Sequence, residues 1–347
     1  MGTKRLPSVF ERVERDWNMK SFLVITTINP PTEGIKKFAS FKNLNVVVVG
    51  DKKTPKDWEV EGVTYLSCEE QEKFGFDLPW NHYSRKMIGY LYAIQNGADY
   101  IAETDDDNIP KDDWGFPKFN GKNYEFDTTM YDGVKGEGFV NIYKFFSLQN
   151  IWARGLPLDK INIGEFAIHQ RAVGESVGVW QGLADEDPDV DAIYRLVIGK
   201  PCTFKEREPI ILELGVVSPF NSQNTLFKKR LFPLMYLPVT VPQRFSDILR
   251  SYVAQPIMHK ERCLLGITKA TVVQKRNEHN LIDDFNDEVL CYTSSEIAYN
   301  TVKEVVDEKY GVMENLLLAY KALVEKGIVT KSELTYLTEW INLIKGE

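Results

Sequence analysis

The first half of the chain alternates short hydrophobic runs with amphipathic segments. The runs are rich in β-branched residues and lack polar alternation, which predicts buried strands of a parallel sheet. They occupy residues 21–27, 45–49, 63–66 and 100–103. Helices are predicted between them at residues 33–41 and 81–96. This alternation predicts an α/β fold, in which helices cover both faces of a mainly parallel sheet.

The pattern changes toward the C-terminus, where Leu and Ile recur at helical spacing behind Ser- or Thr-type helix starts. Three helices are predicted, at residues 294–311, 312–327 and 330–345. Their apolar stripes predict a packing surface rather than a cofactor site. We therefore expect a ligand-binding domain over residues 1–290 and a C-terminal helical region over residues 291–347.

Polar residues follow three of the predicted strands where each strand ends. Thr26 lies at the end of the first strand and Asn29 just after it, Asp51 follows the second strand, and the triplet Asp105-Asp106-Asp107 follows the fourth. Open α/β sheets bind ligands beyond the carboxyl ends of their strands. These residues are therefore expected to form one site.

The aspartate triplet is the sharpest candidate for chemistry. Adjacent buried carboxylates repel one another, and Mg²⁺ or Mn²⁺ together with a diphosphate would relieve the repulsion. Asp105 and Asp107 are the expected metal ligands, and Asp106 would bind a ribose hydroxyl. The alternative is a solvated acidic turn or a helix cap. No GxGxxG, GxxxxGK[ST], HExxH or GxSxG motif competes.

Arg85 and Lys86 open the helix that precedes the aspartate strand. They are either exposed helix charges or partners of a base or phosphate at the strand ends. Asn224 belongs to a run of amides and hydroxyls suited to polyhydroxylated ligands. His279 lies in a polar cluster and would either complete the metal shell or be structural.

Two further acidic segments are candidates for the acceptor side. Asp187 precedes a proline and is predicted to cap a helix, with Asp189 and Asp191 in the first turn. Alternatively, some of these carboxylates bind sugar hydroxyls or act as a base. Asp247 and Arg250 share one helix face, either as an ion pair or as an acid/base group with its orienting partner.

Composition narrows the class of protein. The 347 residues are 43% hydrophobic and 27% charged, which excludes disordered, collagen-like and coiled-coil chains. A net charge of −8 provides no basic field for nucleic acid or anionic membranes. Four widely spaced cysteines predict buried thiols in a reducing compartment. No signal peptide or 18-residue apolar run is found, so a soluble, cytoplasmic protein is expected.

Several of these segments together resemble STELLO-type glycosyltransferases. They lie at residues 151–158, 187–196, 218–227, 244–255 and 276–285. More distantly, their order resembles that of the reversibly glycosylated polypeptides, which include the UDP-arabinopyranose mutases. The similarity spans roughly residues 20–290. STELLO-type proteins are membrane-anchored and no anchor is found in this sequence, so we expect no Golgi role.

The resemblance implies a GT-A fold, a nucleotide-sugar donor and a divalent metal. Asp105 to Asp107 match the DxD motif, and Asp247 falls where GT-A enzymes carry the acidic residue of the acceptor side. The expected activity is a metal-dependent hexosyl- or pentosyltransferase, which moves a sugar from a UDP-sugar to a hydroxyl acceptor. Asp247 would be the base, with Asp189 or Asp191 as alternatives.

Two other functions are compatible with the resemblance. One is a nucleotide-sugar mutase, in which Arg154 would contact or receive the sugar. The other is a non-catalytic scaffold that binds partners through its C-terminal helices. The aspartate triplet argues against the scaffold, which has no need of three crowded carboxylates. The donor sugar, the acceptor and the oligomeric state do not follow from the sequence.

Overall fold

A computed structural model describes residues 19–117, 125–131, 138–162, 166–172, 176–276 and 280–346. Its strands are β1 (Ser21–Thr26), β2 (Leu44–Val49), β3 (Val63–Leu66), β4 (Tyr100–Asp105), β5 (Asn108–Pro110), β6 (Glu125–Tyr131), β7 (Gly138–Phe139), β8 (Phe166–Ala172), β9 (Ser176–Glu186), β10 (Ile210–Leu212), β11 (Val216–Val217), β12 (Asn224–Lys228) and β13 (Cys263–Gln274). Its α-helices are α1 (Glu33–Ala39), α2 (Cys68–Glu72), α3 (Lys86–Gln95), α4 (Tyr143–Phe146), α5 (Ala192–Val197), α6 (Gln243–Lys260), α7 (Leu281–Asp287), α8 (Val289–Val305), α9 (Val312–Glu325) and α10 (Glu333–Lys345).

One large sheet organises the described chain, in the order β3-β2-β1-β4-β12-β9-β13-β10-β6-β8, with β5 paired to β13. The first four strands are parallel, as the hydrophobic runs predicted. β12 then runs antiparallel between β4 and β9. The predicted architecture is confirmed: a largely parallel, mixed sheet flanked by helices with a C-terminal helical part, consistent with a GT-A-like fold.

Helix α3 packs closely against β1 and β2. A Cβ atom at Gly89 would lie 2.4 Å from Val24 Cγ1, so only glycine permits this approach. The helix begins at Lys86, later than predicted, because Tyr83–Arg85 forms a 3-10 turn. Tyr83 of this turn and Lys86 at the start of α3 both contact Asp105 at the carboxyl end of β4.

The three predicted C-terminal helices are confirmed, and α8 begins five residues earlier than expected. α8 packs on α6, and α10 packs on α9 and α3. Leu337 and Trp340 of α10 belong to the same hydrophobic cluster as Tyr90 of α3. The helical region therefore shares the core of the sheet domain, and the predicted boundary after residue 290 falls within α8.

The cysteines and the hydropathy of the helices bear on two expectations from composition. All four cysteines are unpaired, and three of them are buried. No described helix combines the length and apolarity needed to cross a membrane.

Candidate functional site

The carboxyl ends of β1, β2 and β4 meet at one edge of the sheet. β1 and β4 are parallel neighbours, and Thr26 pairs with Asp105. At the end of β2, the Asp51 N–H donates to Thr54 Oγ1 at 2.7 Å, and that hydroxyl donates to the Thr27 carbonyl at 2.7 Å. The structure thus brings together the three strand ends that the sequence singled out.

Asp106 is held by the segment that follows β1. Its Oδ2 accepts hydrogen bonds from Thr27 Oγ1 at 2.5 Å and from Asn29 Nδ2 at 2.9 Å. Thr32 Oγ1 also donates to the Asp106 carbonyl at 2.7 Å. Burial raises the pKa of Asp106, and these hydrogen bonds oppose the increase. The carboxylate therefore has a fixed orientation.

Asp105 faces a buried cation. Lys86 Nζ donates to Asp105 Oδ1 at 3.0 Å, and Tyr83 Oη lies within hydrogen-bond distance of the same oxygen, at 2.9 Å. The Lys86 side chain is fully buried, so its charge acts in a region of low dielectric. Lys86 also donates to Tyr83 Oη at 2.8 Å and so fixes that hydroxyl.

Arg85 points away from the aspartates. Its guanidinium donates to Gln71 Oε1 at 2.9 and 2.6 Å and to the Leu78 carbonyl at 3.0 Å. It also lies 3.7 Å from the centre of the Trp80 ring. The alternative that Arg85 and Lys86 are exposed helix charges is wrong, because both side chains are buried.

Asp107 contacts the end of β13. Gln274 Nε2 donates to Asp107 Oδ2 at 3.1 Å. Burial, followed by the charge of Asp105, raises the pKa of Asp107 to about 7. A second positive charge near these two carboxylates would therefore stabilise their ionised forms.

The chemistry of the aspartate cluster suits a divalent cation that takes only some of its ligands from the protein. Mg²⁺ in phosphate-transfer sites usually takes one or two carboxylates and completes its shell with phosphate and water oxygens. Asp105 and Asp107 provide two carboxylates. The described side-chain contacts of Asp105 are made by Oδ1, so a cation would be bound through Oδ2. Within the described ranges, no three His, Cys, Asp or Glu side chains form a metal-binding group. His279, the predicted third ligand, lies outside the described residues.

A second cluster lies around Arg154. Its Nε and Nη2 donate to the two oxygens of Asp189, each at 2.8 Å. Nη2 also lies 3.1 Å from both oxygens of Asp247. Burial opposes the charged forms, but the ion pairs outweigh it: the pKa of Asp189 is lowered and that of Arg154 is raised. The structure thus joins Asp189, Asp247 and Arg154 in one group.

Arg250 pairs with Glu103 and not with Asp247, contrary to both predicted alternatives. It forms a buried bidentate ion pair with Glu103, at 2.5 and 3.0 Å. Glu103 lies on β4, two residues before Asp105, so the pair ties α6 to the aspartate strand. The long-range pairing takes precedence because Glu103 would otherwise be a buried carboxylate without a cation.

The predicted cap at Asp187 is wrong, because Asp191 caps α5. Asp191 Oδ1 accepts the Tyr194 N–H at 2.8 Å, and its Oδ2 accepts Trp152 Nε1–H at 2.6 Å. Burial raises the pKa of Asp191 to about 6. Asp187 instead pairs with Arg195. Both oxygens of Asp191 are thus occupied by the protein itself.

Two hydroxyls connect the aspartate cluster to Asp247. Tyr83 Oη lies 2.9 Å from Asp105 Oδ1 and 2.5 Å from Ser222 Oγ, and Ser222 Oγ lies 3.1 Å from Asp247 Oδ2. The two hydroxyls have two hydrogens between them. The three contacts would need three hydrogens if both carboxylates were ionised, because an ionised carboxylate has no hydrogen to donate. Because the 2.5 Å contact requires a hydrogen, the pair donates either to Asp105 or to Asp247.

Asn224 lies beside Thr104 in the pairing of β12 with β4. Its Oδ1 accepts Trp114 Nε1–H at 3.2 Å, and its Nδ2 donates to Thr271 Oγ1 at 2.9 Å. These contacts bind strands to one another, and a role for Asn224 in donor binding stays a prediction.

Two residues of the site, Tyr83 and Gln274, were not singled out from the sequence. Ser222 belongs to the run of amides and hydroxyls that the sequence indicated for a polyhydroxylated ligand, although its link to Asp247 was not predicted. Tyr83 precedes Lys86 by three residues, the spacing that places side chains on one helix face. Gln274 gave no signal, since an amide at the end of a strand is not distinctive.

Comparison with known proteins gives two relatives in Arabidopsis thaliana. No family model matches the chain. Over an alignment of 364 positions, gaps included, it is 28% identical to the probable glycosyltransferase STELLO1. The alignment covers 94% of this chain and 44% of the relative. Over 349 residues it is 28% identical to the probable glycosyltransferase STELLO2, covering 93% of this chain and 44% of the relative.

The resemblance to STELLO-type proteins is confirmed, and it extends over nearly the whole chain rather than over residues 20–290 alone. The chain spans less than half the length of these relatives.

Proposed function

We propose that this protein transfers a sugar from a nucleotide-sugar donor, a UDP-sugar, to a hydroxyl group of an acceptor, with Mn²⁺ or Mg²⁺ bound. The observation that carries the proposal is the Asp105–Asp107 cluster, which lies at the carboxyl end of β4 beside the ends of β1 and β2. The names of the two relatives, both probable glycosyltransferases, support the same class of reaction.

On the donor side, Asp105 and Asp107 would hold the cation, which neutralises charge on the departing diphosphate when it is bound. Asp106, oriented by Thr27 and Asn29, would accept a hydrogen bond from a ribose hydroxyl. Lys86 supplies a fixed positive charge on the protein side of Asp105.

On the acceptor side, Asp247 is the proposed base. Asp189 is held by two 2.8 Å hydrogen bonds from Arg154, which stabilise its ionised form and make it a weak proton acceptor. Asp247 shares that guanidinium at a longer 3.1 Å. Asp191 is less suitable, because its oxygens cap α5 and accept Trp152.

The mutase alternative has weaker support, because every nitrogen of Arg154 already donates to a carboxylate or a carbonyl. Nε and Nη2 bind carboxylates, and Nη1 donates to the Arg244 carbonyl. A guanidinium that attacks a sugar must lose a proton, and Asp189 and Asp247 hold the pKa of Arg154 well above its ordinary value despite its burial. Labelled UDP-sugar without acceptor tests this alternative: isomerised donor or self-labelled protein would favour the mutase.

Substitution of Asp107 tests the donor side. Asp107→Asn removes a proposed metal ligand, so we expect Mn²⁺-dependent UDP affinity to fall at least about tenfold, or about 1.4 kcal/mol. Isothermal titration calorimetry with Mn²⁺ and UDP measures this. The melting temperature should hold or rise, because the substitution relieves repulsion from Asp105.

The matched control is Asp99→Asn, at the opposite end of β4, where Asp99 Oδ2 accepts the Lys20 N–H at 3.0 Å. Asparagine keeps that acceptor, so UDP affinity should not change. Equal UDP affinity for the Asp107→Asn variant and the parent would refute the metal site.

Substitution of Asp247 tests the acceptor side. Asp247→Asn keeps the side-chain size but removes basicity, and we expect transfer to slow by about 10²–10⁴-fold, the usual contribution of a general base. Donor affinity should stay nearly unchanged. Asp189→Asn weakens the contact with Arg154 and should mainly raise the KM for the acceptor. Parental transfer rates in Asp247→Asn, with no transfer in Asp189→Asn, would move the base to Asp189.

A further inference from the structure

A cleft separate from the two carboxylate clusters opens between the end of β9 and the end of β13, with a volume of about 610 Å³. This volume lies within the range of small-molecule sites. Its charged lining residues are four cations and two carboxylates: Arg195, Lys200, Lys275, Arg276, Glu186 and Asp187. The excess of positive charge is local, because the whole chain carries a net charge of −8.

The two arginines of the cleft are largely buried and only partly compensated. Arg195 pairs with Asp187 and donates to the Pro188 carbonyl at 3.0 Å, and Arg276 donates to Asp284 Oδ2 at 2.6 Å. The Nε atoms of both arginines are buried without a hydrogen-bond partner among the described residues. Each guanidinium is therefore paired with one carboxylate but retains unused hydrogen-bonding capacity at Nε.

Positive charges also crowd one another at this point. Burial, followed by the charges of Arg195 and Arg244, lowers the pKa of Arg276 to about 10. Guanidiniums on two sides of one cleft suit carboxylate and phosphate groups, which they bind through paired N–H donors. An anion in the cleft would relieve the crowding.

The cleft adjoins the proposed active site without including its metal ligands. Gln274 lines the cleft and donates to Asp107 at 3.1 Å. Asp105 and Asp107 do not line it. On the other wall, Pro188 and Val190 flank Asp189, the partner of Arg154. A group in the cleft would thus lie between the donor and acceptor sides.

We propose that this cleft binds an anionic group of a sugar substrate, a carboxylate or a phosphate, beside the diphosphate of the donor and separate from it. The proposal rests on the proposed function for the identity of the substrate. The anion itself belongs either to the acceptor or to the sugar of the donor.

Inorganic phosphate is the probe for the cleft, titrated by calorimetry at constant ionic strength with and without saturating Mg²⁺ and UDP. We expect the parent to bind phosphate with the same affinity in both conditions. Arg276→Gln and Arg195→Gln should each weaken phosphate binding by at least about tenfold while UDP affinity holds. Arg230→Gln, a half-exposed arginine paired with Glu261, is the matched control and should change neither affinity.

A variant that leaves the buried ion pairs intact protects the test against misfolding. Lys200 and Lys275 are exposed, so the double substitution Lys200→Gln/Lys275→Gln should fold normally and still weaken phosphate binding. Displacement of phosphate by Mg²⁺ and UDP would overturn the proposal, because the cleft would then hold the donor diphosphate. Phosphate binding that no substitution affects would also overturn it.

Donor choice distinguishes the two sources of the anion. If the donor sugar carries it, UDP-glucuronic acid should bind more tightly than UDP-glucose, and Arg276→Gln should abolish the difference. If the acceptor carries it, the two donors should bind equally, and phosphate should bind alongside UDP-glucose. Should UDP fail to bind at all, the phosphate titrations still test the cleft while the proposed function fails separately.

Discussion

Arg154 shows how a single side chain can hold two carboxylates that the sequence supplies far apart. Asp189 comes from the segment before α5 and Asp247 from α6, and both are buried beside the guanidinium. Two buried carboxylates without a cation would repel each other and lose their hydration. Arg154→Ala would therefore disturb both acids at once, whereas substituting one acid leaves Arg154 paired with the other.

The hydroxyls of Tyr83 and Ser222 should act as one unit, because they share two hydrogens among three contacts. Tyr83→Phe and Ser222→Ala should each lower the free energy of unfolding by about 0.5–1.5 kcal/mol, the usual net contribution of a hydrogen bond. The double variant should lose less than the sum by at least about 0.5 kcal/mol. Urea unfolding of the four proteins measures the coupling.

The control pairs Tyr83→Phe with Ser251→Ala, whose hydroxyl donates to the Ile248 carbonyl at 2.8 Å within α6. No described hydrogen bond joins Tyr83 and Ser251, so their losses should add. Additive losses for Tyr83 and Ser222 would show that their hydroxyls do not compete.

Asp191 makes the stability depend on pH in a direction set by its raised pKa. The folded value of about 6 exceeds the ordinary 3.8, so the folded state binds the proton more tightly. The free energy of unfolding should fall as pH rises between these values. Asp191→Asn does not titrate, although it weakens the contact with Trp152. Between about pH 4 and 7.5, the free energy of unfolding of the variant should rise by about 1–3 kcal/mol relative to that of the parent.

Thermal unfolding of both proteins across this pH range measures the difference. A gap between variant and parent that stays constant with pH would show that Asp191 does not ionise unusually in the folded protein.

At the scale of elements, the first four strands were predictable, whereas β8 to β11 and the contact partners of several helices were not. β1 and β2 are almost entirely buried and consist mainly of β-branched and other apolar residues, so a hydrophobic run reveals them. The predicted bounds of β1 to β4 differ from the observed ones by at most two residues. The start of α3 was predicted too early, because the sequence does not distinguish a 3-10 turn from the first turn of an α-helix.

The acidic segment before α5 shows why side-chain roles were harder to predict. Asp187, Asp189 and Asp191 lie two residues apart, and the Asp-Pro pair favoured the first as the cap. The structure uses Asp191, because Asp187 pairs with Arg195 and Asp189 pairs with Arg154. Arg154 and Asp189 are 35 residues apart in the chain, and no local sequence pattern reveals a pairing over that separation.

At the scale of the whole molecule, the C-terminal helices are joined to the sheet domain by buried polar contacts as well as by the core. The Glu333 carboxylate is buried and accepts the N–H groups of Val239 and Thr240 at 2.9 and 2.8 Å. Trp340 Nε1 donates to the Pro233 carbonyl at 3.0 Å. Separating the helices would leave these groups buried and unpaired or expose them to water.

The sheet domain should depend on these helices for its stability. Deleting residues 291–347 takes Tyr320, Leu337 and Trp340 out of the core cluster. Loss of a single large aromatic from a core costs about 3–5 kcal/mol, whereas a domain is stable by only about 5–15 kcal/mol. A chain of residues 1–290 should therefore not unfold cooperatively. Trp340→Ala should fold but lose about 3–5 kcal/mol, and Leu148→Ala, 88% exposed, should lose less than about 0.5 kcal/mol. Calorimetry and near-ultraviolet circular dichroism report the outcome, and a cooperative transition for 1–290 at the parental temperature would establish it as an independent domain.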